Sequence, residues 1–396
     1  MTSGVSIVIP NWNGRDLLER FLPSVIAAAN EYSQRFDAPV EIIIVDDGSV
    51  DKSVELLLDK GFVEGVASGE EPGKAAEVNN ADPLVDSGRG SSNNQSPAPI
   101  LRLIRNEANR GFGPTCNYGI ESACYSLVFL LNNDVEVDVH SIAPLVENFA
   151  DASVFAAHCR VFDVESGREC GSGKLGSFSN GFIRVHRSYV TMPQDTEKEE
   201  KEFKKAPVRY SIFASGGSAM FDRRMFIEIG AFDSLFDPFY WEDVDISYRA
   251  WKRGLSVVYE PRSVVHHRVS STMRTVNKRR IWRMQQRNRL IYHWVNVHDG
   301  RFMASHMMWV ALLAFTAPLR LQPGFLLSVI AALRRLRQIR KRRLEEKRAA
   351  QRSDRDVFKV FTTLEKRPDV YAYDDYAELK AIGQPSSNGR GLGPNQ

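Results

Sequence analysis

The sequence predicts an α/β fold in which a mostly parallel central sheet is flanked by helices. Short uninterrupted apolar runs, typical of strands buried on both faces, alternate with stretches that carry apolar residues at helical spacing. The first four runs each end in a polar turn built from Asn, Asp, Gly or Pro. Parallel strands need crossover connections, usually helices, so this alternation places helices over the sheet.

The elements follow one another in a regular order. Each strand is β-branched or otherwise apolar throughout, and each helix has a periodicity near 3.6 residues. The predicted elements are a strand at 5–10, a helix at 17–29, a strand at 40–45, a helix at 54–58, and strands at 100–104, 126–131 and 255–259, the last ending before Pro261.

The chain is expected to contain a catalytic domain over residues 1–275 with two polar inserts. Residues 65–99 are rich in Gly, Ser, Asn, Pro and acidic residues, which is typical of a disordered surface insertion. A second polar insert is expected at 192–206. Residues 276–382 are predicted to form a helical, basic region, and 383–396 a disordered tail.

The helical region combines an apolar stretch with a dense basic run. Residues 303–333 are strongly apolar, but Pro318 and Pro323 divide them into pieces shorter than the ~20 residues of a spanning helix. The sequence RRLRQIRKRRLEEKR follows. Residues 303–348 are therefore predicted to lie on an anionic membrane surface. An ordinary amphipathic helix pair with a solvated charged face is the alternative.

Charge and cysteine content narrow the class of protein. A net charge of +3 over 396 residues gives no general field for nucleic acid, so no nucleic-acid partner is expected. The four cysteines form no CxxC pair, which indicates a reducing compartment and no zinc site. The N-terminal residues contain no secretory leader pattern. We expect a cytoplasmic protein that is peripheral at the inner face of the cytoplasmic membrane.

Polar residues stand at the ends of the first two strands, where α/β sheets bind ligands. Pro10 and Asn11 end the first strand, and Asp46 and Asp47 end the second. A carboxylate there can accept the imide N–H of a uracil or thymine base, or ribose hydroxyls. The alternative is that Asp47 or Ser49 merely caps the following helix.

Two further polar segments follow the third and fourth strands. Gly111 and Gly113 flank an aromatic residue, which allows close backbone approach to a ligand, and Asn117 lies one helical turn later. Asn132-Asn133-Asp134 places another acid at a strand end. One or two such carboxylates suffice for a divalent cation that also binds a nucleotide diphosphate. Asp134 could alternatively be a turn former.

The later motifs are a small-residue bend and an acidic helix start. The bend SGGSAMF contains Gly217, and WEDVD contains Trp241, Glu242, Asp243 and Asp245. Three acids within four residues behind an aromatic cluster are unusual in a structural turn. His266 and His267 follow, at a position where a metal ligand would be useful.

Taken in order, these motifs resemble the inverting glycosyltransferases of family 2, which have the GT-A fold, and especially their rhamnosyltransferase-like branch in cell-surface polysaccharide assembly. The resemblance covers residues 5–267, about two-thirds of the chain. It depends on the order of seven motifs: SIVIPNWNG, IIIVDDGS, NRGFG with its following Asn, LNND, SGGSAMF, WEDVD and VVHH.

The resemblance implies a nucleotide-diphospho-sugar donor, UDP- or dTDP-linked, and its rhamnosyltransferase-like branch points to rhamnose as the sugar. It assigns Asp47 to the nucleobase, with Asp46 beside it and Pro10 and Asn11 as the pocket wall. The acceptor is expected to be a glycan or a lipid-linked glycan. Six more residues are expected to contact substrate: Gly111, Gly113, Asn117, Asn132, Asn133 and Gly217.

The resemblance also implies a divalent cation, Mg²⁺ or Mn²⁺. Asp134 matches the last acid of the family's DxD motif, and Asn132 stands where a second carboxylate is typical. His266 resembles the distant third ligand of some members, although the choice between His266 and His267 stays open.

The family's general base corresponds to Asp243. Inverting transfer is a single displacement, so one base must take the acceptor hydroxyl's proton on the face opposite the departing diphosphate. Trp241 and Glu242 are expected to orient the acceptor, with Asp245 supporting them. A nucleotidyltransferase is disfavoured because no glycine-rich lysine motif follows the first strand. A non-catalytic nucleotide-sugar-binding scaffold is disfavoured because Asp243 is present.

Overall fold

The structure is a computed structural model that describes residues 3–65, 98–191, 209–268, 277–317 and 323–374. The insert predicted at 192–206 and the predicted tail lie outside the described residues. The insert predicted at 65–99 also lies outside them, apart from its end residues.

The described strands form a ten-stranded sheet and a separate three-stranded sheet. They are β1 (Val5–Asn11), β2 (Val40–Asp46), β3 (Val63–Glu64), β4 (Ile100–Arg105), β5 (Leu127–Leu131), β6 (Val135–Val137), β7 (Val154–Asp163), β8 (Glu169–Gly171), β9 (Gly173–Ser179), β10 (Phe182–Thr191), β11 (Ser218–Asp222), β12 (Ser256–His267) and β13 (Val370–Asp374).

The main sheet has the order β3-β4-β2-β1-β5-β11-β7-β12-β6, with β8 paired to β7. The first five of these strands run parallel, whereas β11 is antiparallel to both of its neighbours. An antiparallel β11 begins where β5 ends, and Ser218 pairs with Leu131. This reversal brings the residues before β11 to the carboxyl ends of the parallel strands.

The helices connect these strands and continue beyond the main sheet. They are α1 (Arg15–Phe36), α2 (Ser53–Asp59), α3 (Phe112–Glu121), α4 (Ile142–Glu147), α5 (Arg223–Glu228), α6 (Glu242–Lys252), α7 (Lys278–Asn296), α8 (Gly300–Thr316), α9 (Pro323–Leu333), α10 (Leu336–Ala349) and α11 (Asp354–Glu365).

Both faces of the sheet are covered, which confirms the predicted mostly parallel α/β fold. Alternate residues of a strand point to opposite faces. On β2, Ile43 packs into one hydrophobic cluster with Cys116 of α3, whereas Ile42 packs into another with Leu18 of α1. A strand that is buried on both faces must be apolar at every position, and this is why continuous apolar runs in the sequence predicted these strands.

The strand predicted at 255–259 is longer than expected. β12 continues past Pro261 to His267, with an irregular register against β7 between Glu260 and Val264. Proline has no N–H to donate, so it is accommodated where the pairing with the neighbouring strand is interrupted. The extension matters because it carries the two histidines to the edge of the site.

Among the described helices, none combines the length and the apolar character needed to cross a bilayer. The apolar stretch predicted at 303–333 instead forms the separate helices α8 and α9, and residues 318–322 between them lie outside the described part.

Candidate active site

Three amide and carboxylate side chains join the ends of the central strands. Asn11 and Asp46 are register partners on β1 and β2, and Asn11 Nδ2 donates to Asp46 Oδ1 at 3.0 Å. Asn133, just after β5, donates through Nδ2 to Asn11 Oδ1 at 2.8 Å. Pro10 lies one residue before Asn11, opposite Val45. The predicted residues of three strand ends therefore form one continuous polar edge.

Asp47 organises the loop that follows β4. Its buried carboxylate accepts hydrogen bonds from Asn106 Nδ2 at 2.8 Å, from the Arg110 backbone N–H at 2.9 Å and from the Gly111 N–H at 3.0 Å. The predicted contact of Asp47 with the nucleobase stays a prediction. The structure adds a second role, because this carboxylate fixes the NRGFG loop beside the strand ends.

The helix-cap interpretation of Asp47 and Ser49 is wrong. Helix α2 begins at Ser53, with Lys52 as its N-cap residue. The carboxylate that accepts from the Ser53 N–H belongs to Asp51, at 3.1 Å. Asp47 is therefore free of a capping role and faces the following loop.

Gly111 needs to be glycine because its φ is +93° and because another loop lies close to it. A Cβ at Gly111 would lie 3.2 Å from the carbonyl oxygen of Pro238. The next N–H, that of Phe112, donates to the same Pro238 oxygen at 3.1 Å. A Cβ at Gly113 would lie 3.6 Å from Phe232 Cβ and 3.7 Å from Asp237 Oδ1, which is ordinary contact range. The glycine-rich loop thus contacts the segment that precedes the acidic helix start.

Asn117 serves the fold in this structure. Its Nδ2 donates to the carbonyl of Phe232 at 2.9 Å, and its Oδ1 accepts from the Phe232 N–H at 3.0 Å. The side chain was predicted to bind substrate, but both of its polar atoms are used to join α3 to the backbone near residue 232. Its predicted contact with substrate stays a prediction.

Asp134 lies beside His267, which corrects the predicted ligand His266. His267 Nε2 is 3.0 Å from Asp134 Oδ1, whereas the ring of His266 stacks on Phe162 with centroids 5.7 Å apart. Adjacent residues of a strand point to opposite faces, so only one of the two histidines can face Asp134. Within the described part of the chain, no cluster of three or more His, Cys, Asp or Glu side chains forms a metal cage.

The small-residue bend before β11 links the strand-end residues to the acidic helix. A Cβ at Gly217 would lie 2.5 Å from Asn132 Nδ2, so glycine is needed for this close approach. On the other side, the Gly216 N–H donates to Asp243 Oδ2 at 3.3 Å. Asn132, Asp134 and Asp243 are therefore brought to one region, although they are far apart in sequence.

Glu242 and Asp243 begin helix α6. Asp243 Oδ1 accepts from the Val244 N–H at 2.8 Å, and burial raises the pKa of this carboxyl above its usual range. Burial and the neighbouring Asp243 raise the pKa of Glu242 well above its usual range. Glu242 Oε2 is buried and has no hydrogen-bond partner among the described residues. The pair therefore favours one negative charge over two.

The residues before this pair have unusual backbone geometry. Tyr240 and Trp241 have φ values of +73° and +80°, which residues other than glycine rarely adopt. The Trp241 ring packs on Tyr292 of α7, with centroids 5.2 Å apart. Strained backbone of this kind persists only where its surroundings hold it, and it is common at functional sites.

Asp245 supports the helix from its buried side. Its carboxylate is 2.7 Å from Arg249 Nε and accepts a hydrogen bond from Asn296 Nδ2 at 2.6 Å. Asp245 was predicted to support Asp243 indirectly, and these contacts hold the helix that carries both residues.

Sequence reasoning assigned no role to three residues that shape this region: Asn106, Gly216 and Asn288. Asn106 lies shortly before the NRGFG motif, and Gly216 lies in the SGGSAMF motif, so both belong to segments that the sequence had already marked. Asn288 lies about 45 residues after WEDVD, and no local pattern marks it.

The fold and the site together define an α/β protein whose ligand site lies at the carboxyl ends of parallel strands. Two family models specify it further. The model described as glycosyl transferase family 2 matches residues 6–81, and that described as glycosyl transferase family group 2 matches residues 127–339, more than half of the chain. The chain therefore belongs to the family 2 glycosyltransferases, and the predicted family is confirmed.

Several curated proteins match part of the chain. Probable N-acetylgalactosaminyltransferase 9 of Caenorhabditis elegans is 25% identical over 42% of this chain and 29% of that protein. Human N-acetylgalactosaminyltransferase 7 is 28% identical over 42% of this chain and 26% of that protein. An undecaprenyl-phosphate 4-deoxy-4-formamido-L-arabinose transferase of Aeromonas hydrophila is 44% identical over 15% of this chain and 18% of that protein. The chain thus spans less than a third of these relatives.

Solved structures give more distant matches. GalNAc-T7 with UDP, GalNAc and Mn²⁺ matches at a TM-score of 0.49 and 19% identity, covering 75% of this chain and 48% of that one. Staphylococcus aureus TarS 1-349 with UDP-GlcNAc matches at a TM-score of 0.48 and 11% identity, covering 90% of each chain.

Proposed function

We propose that this protein is an inverting glycosyltransferase that moves a sugar from a nucleotide-diphosphate donor to a hydroxyl group of its acceptor. The observation that carries the proposal is the bend before β11. Gly217 lies against Asn132 at the polar strand ends, while Gly216 hydrogen-bonds Asp243 at the start of α6. A donor held at the strand ends would therefore lie beside a carboxylate that can act as a base.

Asp243 has the properties of a general base in such a reaction. Its carboxylate is oriented by two backbone N–H groups, those of Val244 and Gly216. Its raised pKa increases its affinity for a proton, which favours proton transfer from a sugar hydroxyl. The acceptor oxygen would attack the anomeric carbon as Asp243 takes its proton, and the nucleoside diphosphate would leave from the opposite face.

A divalent cation fits the Asp134 side of the site. Asp134 would hold Mg²⁺ or Mn²⁺ with His267, since the ring nitrogen is within 3.0 Å of the carboxylate. With few protein ligands, the remaining positions would belong to water and to the donor's phosphates. A bound cation would stabilise the charge that develops on the departing diphosphate.

Donor binding should depend on the metal and on His267. In a thermal-shift panel of UDP-, dTDP- and GDP-sugars, the cognate donor should raise the melting temperature more with Mn²⁺ than with EDTA, because ligand binding to the native state stabilises it. His267→Ala should reduce this metal-dependent increment, whereas His266→Ala is the matched control and should keep it. Equal increments in both variants would contradict the assignment of His267.

The sugar and acceptor are finer proposals. We propose dTDP-rhamnose or a UDP-sugar as donor and a glycan or lipid-linked glycan as acceptor, in cell-surface polysaccharide synthesis. The family resemblance of the seven motifs, taken in order, supports the rhamnosyltransferase-like branch. A short match to a transferase named for undecaprenyl phosphate is in keeping with a lipid-linked acceptor.

We also propose that the protein is cytoplasmic and docks on the anionic inner face of the membrane. Helix α8 exposes a stripe of apolar side chains at helical spacing, and Phe315 and Met308 are 80% and 61% exposed. Helix α9 exposes Leu327, Ile330 and Leu333. Residues 278–344 contain fifteen Lys or Arg residues and a single acid, Asp299. An anionic bilayer matches both the charge and the apolar stripe.

Vesicle flotation tests this surface. The full chain should float with phosphatidylcholine vesicles that contain phosphatidylglycerol, and binding should fall as salt is raised. The double variant Met308→Ser and Phe315→Ser should float several-fold less. Leu58→Ser is the control, since Leu58 is exposed on α2 outside this surface. Equal flotation of the double variant and the control would contradict the proposed surface.

A further inference from the structure

The segment before the acidic pair is held by hydrogen bonds along its whole length. Every carbonyl oxygen from residue 235 to residue 240 accepts a hydrogen bond from outside the segment. Arg335 Nη1 donates to the carbonyl of residue 235, Arg287 Nη2 to that of residue 237 and the Phe112 N–H to that of residue 238. Asn288 Nδ2 donates to the carbonyls of residues 236, 239 and 240. Such a segment is fixed in one conformation before any ligand binds.

Asn288 of α7 makes three of these six contacts. Its Nδ2 lies 2.7 Å from the carbonyl oxygen of Phe236, 3.0 Å from that of Phe239 and 2.8 Å from that of Tyr240, so its two N–H groups are shared among three acceptors. Its Oδ1 accepts from Arg287 Nε at 2.8 Å, which fixes the orientation of the amide. The side chain is fully buried, so water cannot replace these bonds.

The conformation that Asn288 holds is a strained one. Tyr240 and Trp241 both have positive φ, a backbone conformation that is unfavourable for residues with a side chain. Without donors at residues 236–240 the chain would relax toward ordinary φ values. Because Glu242 and Asp243 follow directly, relaxation would change the position of the first turn of α6.

We infer that Asn288 is a positioning residue for the transfer reaction: it clamps residues 236–240 and thereby places Asp243 against the Gly216-Gly217 bend. The inference rests on the proposed role of Asp243 as base. Asn288 acts through the backbone and does not touch the reacting atoms. Asn288 itself bonds the carbonyls of residues 236, 239 and 240 and not the strand-end side chains, so donor binding and chemistry should respond differently.

The test compares donor binding with turnover in Asn288→Ser. We expect kcat for transfer to fall 10- to 100-fold, since small displacements of a catalytic group have effects of this size. The affinity for UDP or dTDP with Mn²⁺, measured by calorimetry, should stay within two-fold of the parent. Leu290→Ala is the matched control, because Leu290 is buried on the same helix and contributes packing alone to the core. It should keep kcat at temperatures where it is folded.

A second variant separates clamping from general stability. Tyr240→Gly removes the strain at residue 240, so adding Asn288→Ser to it should reduce kcat less than Asn288→Ser does in the parent. This coupling can be measured even if Asn288→Ser is poorly stable. If kcat were unchanged in Asn288→Ser while Asp243→Asn was inactive, the positioning role of Asn288 would be overturned and the role of Asp243 as base would stand. Full activity of Asp243→Asn would overturn the proposed function itself.

Discussion

Replacing Asp243 with asparagine is expected to slow sugar transfer by 10²- to 10⁴-fold while nucleotide binding is retained. General-base catalysis contributes accelerations of this order, and an amide cannot accept the proton of the acceptor hydroxyl. The substitution keeps the volume of the side chain and can preserve the hydrogen bond from the Val244 N–H to the δ-oxygen. Steady-state transfer by the purified variant, with donor binding measured in parallel, checks the prediction.

Asp16→Asn is a suitable control for this substitution. Asp16 has the same chemistry, but it lies on the exposed surface of α1 in an ion pair with Arg15. Surface pairs of this kind contribute little to stability, so parental activity is expected. Turnover of Asp243→Asn within a few-fold of the parent would remove Asp243 from the role of base.

The acid limb of the pH profile follows from the same carboxyl. The base must be ionised, and burial raises the pKa of Asp243 above its usual value near 3.8. kcat/KM should therefore fall as the pH decreases, with a midpoint above 3.8. Glu242, whose pKa is raised further, should keep its proton through this range. Glu242→Gln should then leave the midpoint nearly unchanged.

The central sheet was predictable because its strands are buried on both faces. Ile42, Ile43 and Ile44 leave no helical or alternating pattern, and strands of this kind are recognisable without a structure. The carboxyl-end positions of Asn11, Asp46 and Asp134 followed from the same reasoning. Parallel strands bring their ends to one edge whatever the length of the connections between them.

The choice between adjacent residues could not be predicted. His266 and His267 have the same chemistry, and a shift of one residue in register exchanges their faces. That register depends on the irregular pairing of β12 with β7 after Glu260, which nothing in the local sequence specifies. The hydrogen bonds of Asn117 to the backbone could not be predicted for a related reason, since its partner Phe232 is 115 residues away.

Replacing Asp354 with alanine is expected to cost about 3–5 kcal/mol of the free energy of unfolding, because it leaves a buried lysine without its counter-ion. Asp354 Oδ1 lies 2.7 Å from Lys252 Nζ and 2.8 Å from Tyr248 Oη, and both partners belong to α6. Oδ2 accepts from the backbone N–H groups of His298 and Asp299 at 2.7 and 2.6 Å. Urea unfolding followed by circular dichroism measures the loss.

Asp356→Ala is the matched control on the same helix. Asp356 forms the capping box of α11 with Ser353 at the exposed surface, so its loss should cost about 1 kcal/mol. If Asp354→Ala destabilised the protein no more than Asp356→Ala, the buried ion pair would be dispensable.

The expected difference in stability between Asp354→Ala and Asp356→Ala should also affect activity, because the carboxyl-terminal helices are joined to α6. Helix α6 carries Asp243 at its first turn and Lys252 at its last, and Asp354 joins that last residue to α11 and to the connection between α7 and α8. Loosening α11 should therefore displace Asp243, because α6 is one rigid helix that runs from Asp243 to Lys252. Asp354→Ala should lower kcat more steeply with temperature than Asp356→Ala does, well below the global unfolding transition.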